Sequence, residues 1–277
     1  MSRIADSQTP RRKKESVLSL QKKKVTGEKI SMTTCYDATF AKLINKSSID
    51  MVLVGDSLGN VMMGHKDSLK VTVDDMITFG ASVARALDQA FLVIDMPFMS
   101  YNITTEKTLE NAHKIISSTG AQALKLEGGR AICSQVSALV SAGIPVMGHL
   151  GLTPQSINTI GGYKVQGRGN EAAQRMLEDA KALENAGVFS LVLEMVPADL
   201  ARDIAKSLKI PVIGIGAGPS CDGQVLVLQD LLGMDDGFEP KFLKTYARLS
   251  EMIVTALNTY SDEVKDNSFP TKDHSFQ

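Results

Sequence analysis

Short apolar runs that stop at a glycine or an acid, each followed by helix-forming sequence, most constrain what this chain can become. "MVLVGD" ends at Asp56, "FLVIDMP" carries Asp95, "ALKLEGG" carries Lys125 and Glu127, "IPVMGHL" carries His149, and "SLVLEMVP" carries Glu194. "ISMTTCYD" precedes them, "IPVIGIGAG" follows, and "VLVLQD" over 225–230 is a candidate eighth run. Continuous apolar runs of this length read as strands buried on both faces. Helical composition fills the gaps over 38–45, 73–87, 106–117, 130–142, 171–186 and 198–208. Thr72, Thr104 or Thr105, and Pro197 stand where helix starts want them, and Gly143 and Gly187 where helix ends do. Strict alternation of strand and helix dictates a parallel sheet covered by helices. About eight such units in roughly 240 residues fit an α/β fold of the closed (β/α)8 TIM barrel type. An open doubly wound sheet would want a glycine-rich turn after the first strand, and "CYDATF" has none. The cluster "GIGAG" comes at the seventh run instead, where it serves either a phosphate site or a tight loop.

The 277 residues carry a formal net charge of -1 and are 43% hydrophobic, enough for one large core. No apolar run approaches the roughly 20 residues that span a bilayer, so no membrane segment is expected. Cys35, Cys133 and Cys221 are too scattered for a disulfide framework or a zinc site, which fits a reducing cytoplasm. Cys35, at a strand exit, is either a thiol nucleophile or a small buried hydrophobe. "RRKK" at Arg11–Lys14 and "KKK" at Lys22–Lys24 make the start of the chain basic without the apolar core of a secretory signal. Residues 1–15 are expected to be a flexible basic arm, and residues 16–277 a single barrel domain with a polar C-terminal tail from Ser261 onward. A solvated arm and an anionic-surface or nucleic-acid contact are the alternatives for the basic stretch, and nucleic-acid binding is not the expected role.

Barrel geometry gives the acids a common purpose. All parallel strands end on one face, so Asp56, Asp95, Glu127, His149 and Glu194 would converge around one mouth. Carboxylates brought together repel unless a cation or protons offset them. The economical solution is a metal, and the oxygen donors of Asp56, Asp95 and Glu127 suit Mg²⁺ or Mn²⁺ rather than zinc. Lys125 lies two residues before Glu127 and so on the same strand face. It would either pair with an anionic substrate or form a structural ion pair with one of the acids.

Seven motifs follow one another in the order and spacing of one family: "VLVGDSLG", "DMPFMSY", "KLEGG", "GHLGLTPQS", "GGYKVQGRG", "LVLEMVP" and "IPVIGIGAG". From about Ile30 to the terminal "HSF", the sequence resembles the ketopantoate hydroxymethyltransferase (3-methyl-2-oxobutanoate hydroxymethyltransferase) family. That resemblance implies a TIM-barrel transferase of pantothenate biosynthesis. It would move a hydroxymethyl group from the co-substrate 5,10-methylenetetrahydrofolate to 3-methyl-2-oxobutanoate through a Mg-stabilised enolate. The products would be 2-dehydropantoate (ketopantoate) and tetrahydrofolate. By motif, Asp56, Asp95 and Glu127 correspond to the Mg²⁺ ligands. Asp56, Ser57, Asp95 and Lys125 correspond to the keto-acid contacts, and Glu194 to the catalytic base. The family also implies a cytoplasmic homodecamer. The loop "GGYKVQGRG", with Tyr163, Lys164 and Arg168, is either a lid or a subunit contact. A lyase or mutase of the isocitrate-lyase type would carry a "KKCGH"-like cysteine loop, which this sequence lacks. A non-catalytic binding protein would have no need of the full acid set.

Overall fold

The computed structural model describes residues 13–234, 237 and 240–276. Eight parallel strands close into a barrel in sequence order. They are β1 (Ile30–Thr34), β2 (Met51–Val54), β3 (Phe91–Asp95), β4 (Ala123–Glu127), β5 (Val146–Gly151), β6 (Ser190–Glu194), β7 (Val212–Ile215) and β8 (Gly223–Leu226). Helices Ala38–Ile44, Val73–Ala84, Thr105–Thr119, Cys133–Ser141, Asn170–Ala186 and Ala198–Ser207 fall where composition placed them. Their ends have local causes. Thr72 and Asp75 form a capping box, and Thr104, rather than Thr105, accepts the Lys107 N–H. Gly187 stops its helix in the left-handed conformation, φ 101°, which a side chain would resist.

Strand alternation divides the barrel interior into layers. Phe91 and Val93, Ala123, Met147, Val192 and Ile213 belong to one buried apolar cluster. Side chains two apart on a strand share a face. The same inward series therefore continues upward to Asp95 on β3, Lys125 and Glu127 on β4, His149 on β5 and Glu194 on β6. The lower layers are apolar and the top layer is charged.

The bottom of the barrel is closed by a helix that composition did not single out, Val17–Thr26, capped by Ser16 and ended by Gly27. Its Leu20 is fully buried in the interior cluster. Of the "KKK" stretch only Lys22 is exposed. Lys23 is buried and pairs with Asp50 at 3.1 Å, with Glu28, and at 3.9 Å with Glu15. Lys24 pairs with Asp222 at 2.6 Å. Residues 1–12 of the expected arm lie outside the described residues. Glu15 is itself buried, and its N–H donates to the Gln89 carbonyl at 2.9 Å.

The eighth strand is shifted from its expected place. It spans Gly223–Leu226, and Leu228–Leu231 forms a helical turn in place of the expected continuation to residue 230. Pairing decides this: β8 is as long as the stretch of β1 beside it, from Ile30↔Gly223 to Thr33↔Leu226. Gly223 permits that approach, since a Cβ there would lie 2.4 Å from the Ile30 carbonyl oxygen. By internal contacts the chain falls into two units, the barrel ending at Leu226 and a second running from Val227 to Gln277. Within the second unit, part of the expected polar tail belongs to a helix, Leu249–Lys265. Beyond it, Phe269 packs edge-on against Tyr260.

Leu20→Ala should remove a side chain from the barrel floor and cost about 2–5 kcal/mol, the usual range for a buried Leu→Ala change. Denaturant unfolding of the full chain checks this, and a loss under ~1 kcal/mol would show that the helix is not part of the core.

Candidate active site

The predicted site residues meet at the mouth. Asp95 lies in register beside Lys125, and Glu127 beside His149. Lys125 Nζ sits 2.9 Å from Asp95 Oδ1 and 3.7 Å from Glu127 Oε1, so the ion pair left open for Lys125 is formed. His149 links the two carboxylates beside it. Its Nδ1 is 3.2 Å from Glu127 Oε1, and its Nε2 is 3.4 Å from Glu194 Oε2. Asp56, Asp95, Lys125, Glu127 and His149 are all at most 5% exposed, whereas the Glu194 side chain is 18% exposed.

Asp56 is placed differently from the others. It lies past the end of β2, off the inward alternation, and a turn brings it in. Its backbone N–H donates to Asp95 Oδ2 at 3.0 Å, tying the β2 exit to β3. Ser57 follows in the same turn, with its Oγ 2.8 Å from the hydroxyl of the buried Tyr36. Glu194 is positioned by its backbone: its carbonyl accepts the Leu152 N–H at 2.8 Å. The next residue, Met195, has φ 48° and donates to the Ile215 carbonyl at 2.8 Å. Gly151 makes room for this, because a Cβ there would stand 2.1 Å from the Glu194 carbonyl oxygen.

Several site neighbours were not singled out by sequence reasoning. Gln155 and Tyr101 are buried and hydrogen-bonded to each other at 2.7 Å, and each bonds to Glu127. Tyr36 braces Ser57. Gln155 and Tyr101 were inside quoted motifs, but neither lies on a strand, so alternation could not point to them. The loop "GGYKVQGRG" is fastened beside Glu194, with the Gln166 N–H donating to the Met195 carbonyl at 2.9 Å. Cys35 is fully buried, and burial pushes its thiol up to about 11, so it is no ready nucleophile.

Electrostatics at the mouth are frustrated. Burial, then the charges of Glu127 and Asp95, push Asp56 up to about 8. Burial also raises Asp95, against the pull of Lys125. Burial works against the ammonium of Lys125, yet Asp95, Glu127 and Asp56 outweigh it and hold its pKa above the ordinary value. For Glu127, burial is outweighed by His149 and Lys125, and its pKa is lowered. Burial and Lys125 oppose the charge on His149, but Glu127 and Glu194 prevail and raise it to about 9.

Among the described residues, no three Asp, Glu, His or Cys side chains are grouped as a ready metal cage. The donor set nonetheless fits Mg²⁺, which is held by one or two carboxylates and completes its shell with substrate oxygens and water. Asp56 and Asp95 are the best placed, joined by a hydrogen bond and both disfavoured as bare anions. Asp95 Oδ1 is buried and, beside its ion pair, makes no hydrogen bond of good geometry. A divalent cation would relieve that shortage.

Comparisons with known proteins identify the family. A sequence model described as Ketopantoate hydroxymethyltransferase matches residues 14–272, beginning ahead of the first quoted motif and ending before "HSF". A 3-methyl-2-oxobutanoate hydroxymethyltransferase from Thermoanaerobacter sp. (strain X514) is 51% identical over 95% of this chain and 96% of its own. One from Francisella tularensis subsp. tularensis (strain WY96-3418) is 52% identical over 95% and 98%. Among solved structures, phosphoenolpyruvate phosphomutase from Streptomyces platensis subsp. rosaceus superposes with a TM-score of 0.60 at 14% identity, covering 95% of this chain and 92% of that one. Phosphonopyruvate hydrolase in complex with oxalate and Mg²⁺ superposes with a TM-score of 0.58 at 12% identity, covering 93% and 92%. At such identity these two structures speak for the fold alone.

The raised pKa of Asp56 has a definite consequence for stability. Between its ordinary 3.8 and about 8, the folded state holds a proton that the unfolded state has released. Stability of the metal-free protein therefore falls as pH rises through that window. Asp56→Asn should remove this penalty and raise Tm at pH 8 by roughly 2–4 °C, the shift of ~1 kcal/mol in a chain of this size. The gain should shrink toward pH 4. Calorimetry in chelator checks it, and a variant no more stable than wild type at pH 8 would contradict it.

Proposed function

This chain belongs to the ketopantoate hydroxymethyltransferase family, and we propose that it acts as a 3-methyl-2-oxobutanoate hydroxymethyltransferase of pantothenate biosynthesis. The one-carbon donor is 5,10-methylenetetrahydrofolate, and the products are 2-dehydropantoate and tetrahydrofolate. The observation that carries this is one cluster at the mouth: Lys125 beside Asp95 and Glu127, Asp56 bonded to Asp95, and Glu194 partly exposed beside His149. It offers a cationic seat for a small keto acid, acidic oxygens for a hard cation, and a carboxylate with access to substrate.

Lys125 pairs with the carboxylate of the keto acid, and Ser57, held by Tyr36, adds a hydroxyl contact. Asp56 and Asp95, with Glu127 beside them, would hold Mg²⁺. When bound, Mg²⁺ supplies a Lewis acid that lowers the cost of negative charge on the keto oxygen. Glu194 removes the proton from C3 of the keto acid, and C3 bonds to the methylene carbon of the folate as one methylene–nitrogen bond breaks. Water then displaces the second nitrogen and supplies the hydroxyl of 2-dehydropantoate, and the C3 proton and a water proton end on the two nitrogens of tetrahydrofolate. His149 Nε2 stands 3.4 Å from the Glu194 carboxylate, an ion-pair distance without a hydrogen bond of good geometry. The loop carrying Tyr163 is fastened to Met195, next to Glu194, at the edge of the mouth. A lyase or mutase chemistry would want a reactive thiol, whereas Cys35 and Cys221 are buried and pushed up to about 11. No helix among the described residues is long and apolar enough to cross a membrane, in keeping with a cytoplasmic enzyme. The assembly is the homodecamer implied by the family.

Formation of 2-dehydropantoate from 3-methyl-2-oxobutanoate and methylenetetrahydrofolate, lost on chelation and restored by Mg²⁺, tests the activity. Glu194→Gln tests the base. Wild type should exchange the C3 hydrogen of the keto acid with deuterated water, followed by NMR. The variant should still bind keto acid but exchange it about 10²–10⁴-fold more slowly, the usual worth of a general base. Exchange at the wild-type rate would assign proton removal to another residue.

A further inference from the structure

We propose that Gln155 is a positioning residue that brackets two carboxylates of the mouth, Asp56 and Glu127, and thereby sets the affinity of the site for a divalent cation. This rests on the magnesium chemistry above and adds a residue to it. Gln155 sits in a short 3-10 turn, Pro154–Ser156, just past β5, and is 7% exposed. Its backbone N–H donates to Glu127 Oε2 at 3.0 Å. Its side-chain Nε2 donates to Asp56 Oδ2 at 2.9 Å and to the Met96 carbonyl at 3.0 Å. Its Oε1 accepts from the Tyr101 hydroxyl at 2.7 Å, and that hydroxyl accepts the Glu127 N–H at 3.2 Å.

These partners determine which way the amide faces. Turned over, its oxygen would confront the Met96 carbonyl with no proton between them, and its NH2 would take the place of the oxygen that accepts from the Tyr101 hydroxyl. Each buried group left unpaired costs about 1–3 kcal/mol, so the alternative is suppressed. One residue from the loop after β5 thus takes one oxygen of an acid on the β2 exit and one oxygen of an acid on β4.

The chemistry of the bracket matters as much as its geometry. Lys125 also holds acids at the mouth, but its positive charge repels a metal ion. An amide orients Asp56 through a neutral N–H and adds no charge. It engages Oδ2 and thereby constrains where Oδ1 faces. Outer hydrogen-bond partners of metal-binding side chains are worth about 10–100-fold in metal affinity.

The test is Mg²⁺ binding to the purified full chain by titration calorimetry, in wild type, Gln155→Met and Tyr101→Phe, with Tm measured for each. Gln155→Met keeps the length and the backbone N–H to Glu127 but loses the side-chain N–H donors to Asp56 and the Met96 carbonyl. Its Mg²⁺ Kd should rise about 10–100-fold. The Mg²⁺ concentration for half-maximal turnover should rise in parallel, and saturating Mg²⁺ should restore most of kcat, which a misfolded site would not allow. Tyr101→Phe frees the amide oxygen and should shift Kd in the same direction by less. An unchanged Kd in Gln155→Met, or in Tyr101→Phe if the first variant does not fold, overturns the proposal. So does a loss of kcat that no Mg²⁺ concentration restores. A wild type that makes product yet binds no divalent cation overturns the magnesium chemistry itself.

Discussion

An ammonium buried among carboxylates holds the mouth of this barrel together. Lys125 is 4% exposed, and a lone charge at that depth would cost several kcal/mol. Asp95 at 2.9 Å and Glu127 at 3.7 Å make it tolerable, and it does the same for them. The neighbours are arranged around this pairing. His149 extends it from Glu127 to Glu194, and the Asp56 N–H ties it to the exit of β2. Removing one member would leave its partners buried and unmatched, so the cluster behaves as a unit rather than as separate residues.

The two ends of the barrel use buried charge for opposite ends. At the floor, Lys23 meets Asp50, Glu28 and Glu15, and Asp50 Oδ2 also accepts from the Ser31 N–H and hydroxyl. One lysine faces three acids there too, but the Glu28 side chain is 61% exposed to solvent, and the floor is a structural joint between the first helix and the strands. At the mouth, the acids Asp56, Asp95 and Glu127 outnumber the lysine, and Asp56 and Asp95 are held above the usual carboxylate range. Local conflict of this kind is what natural proteins keep where they bind and react. The apolar layers of Phe91, Val93, Met147 and Val192 lie between the two ends and hold the strands in register.

Glu194 illustrates how the fold places an acid at the mouth without burying it. Glu194 ends β6 on the inward alternation, but its side chain retains 18% exposure. Its place is enforced from behind, by the Leu152 N–H on its carbonyl and by Met195 bonded to Ile215. Gly151 is the condition for that approach, since any Cβ would overlap the Glu194 carbonyl oxygen. In sequence this acid is flanked by apolar residues, in "SLVLEMVP". Structure shows a partly open setting, because the strand ends there and the side chain faces the mouth rather than the core.

Much of this was legible in the chain. Runs such as Phe91–Asp95 and Ala123–Glu127 are apolar until an acid appears, and period-two alternation carries Asp95, Lys125, Glu127, His149 and Glu194 inward by local rules alone. Such local regularities, together with helix caps at Thr72 and Thr104, determine the barrel and most of its rim. Other features were decided only in three dimensions. The length of β8 depends on its pairing with β1, which no local pattern records. Lys23 and Lys24 look like a solvated basic stretch until Asp50 and Asp222 are brought to them from distant parts of the chain. Asp56 and Gln155 lie in turns, 99 positions apart, and meet because closure of the barrel brings the exits of β2 and β5 to one mouth. Hydrogen bonds between turns have no periodicity to betray them, so only tertiary structure could join these two.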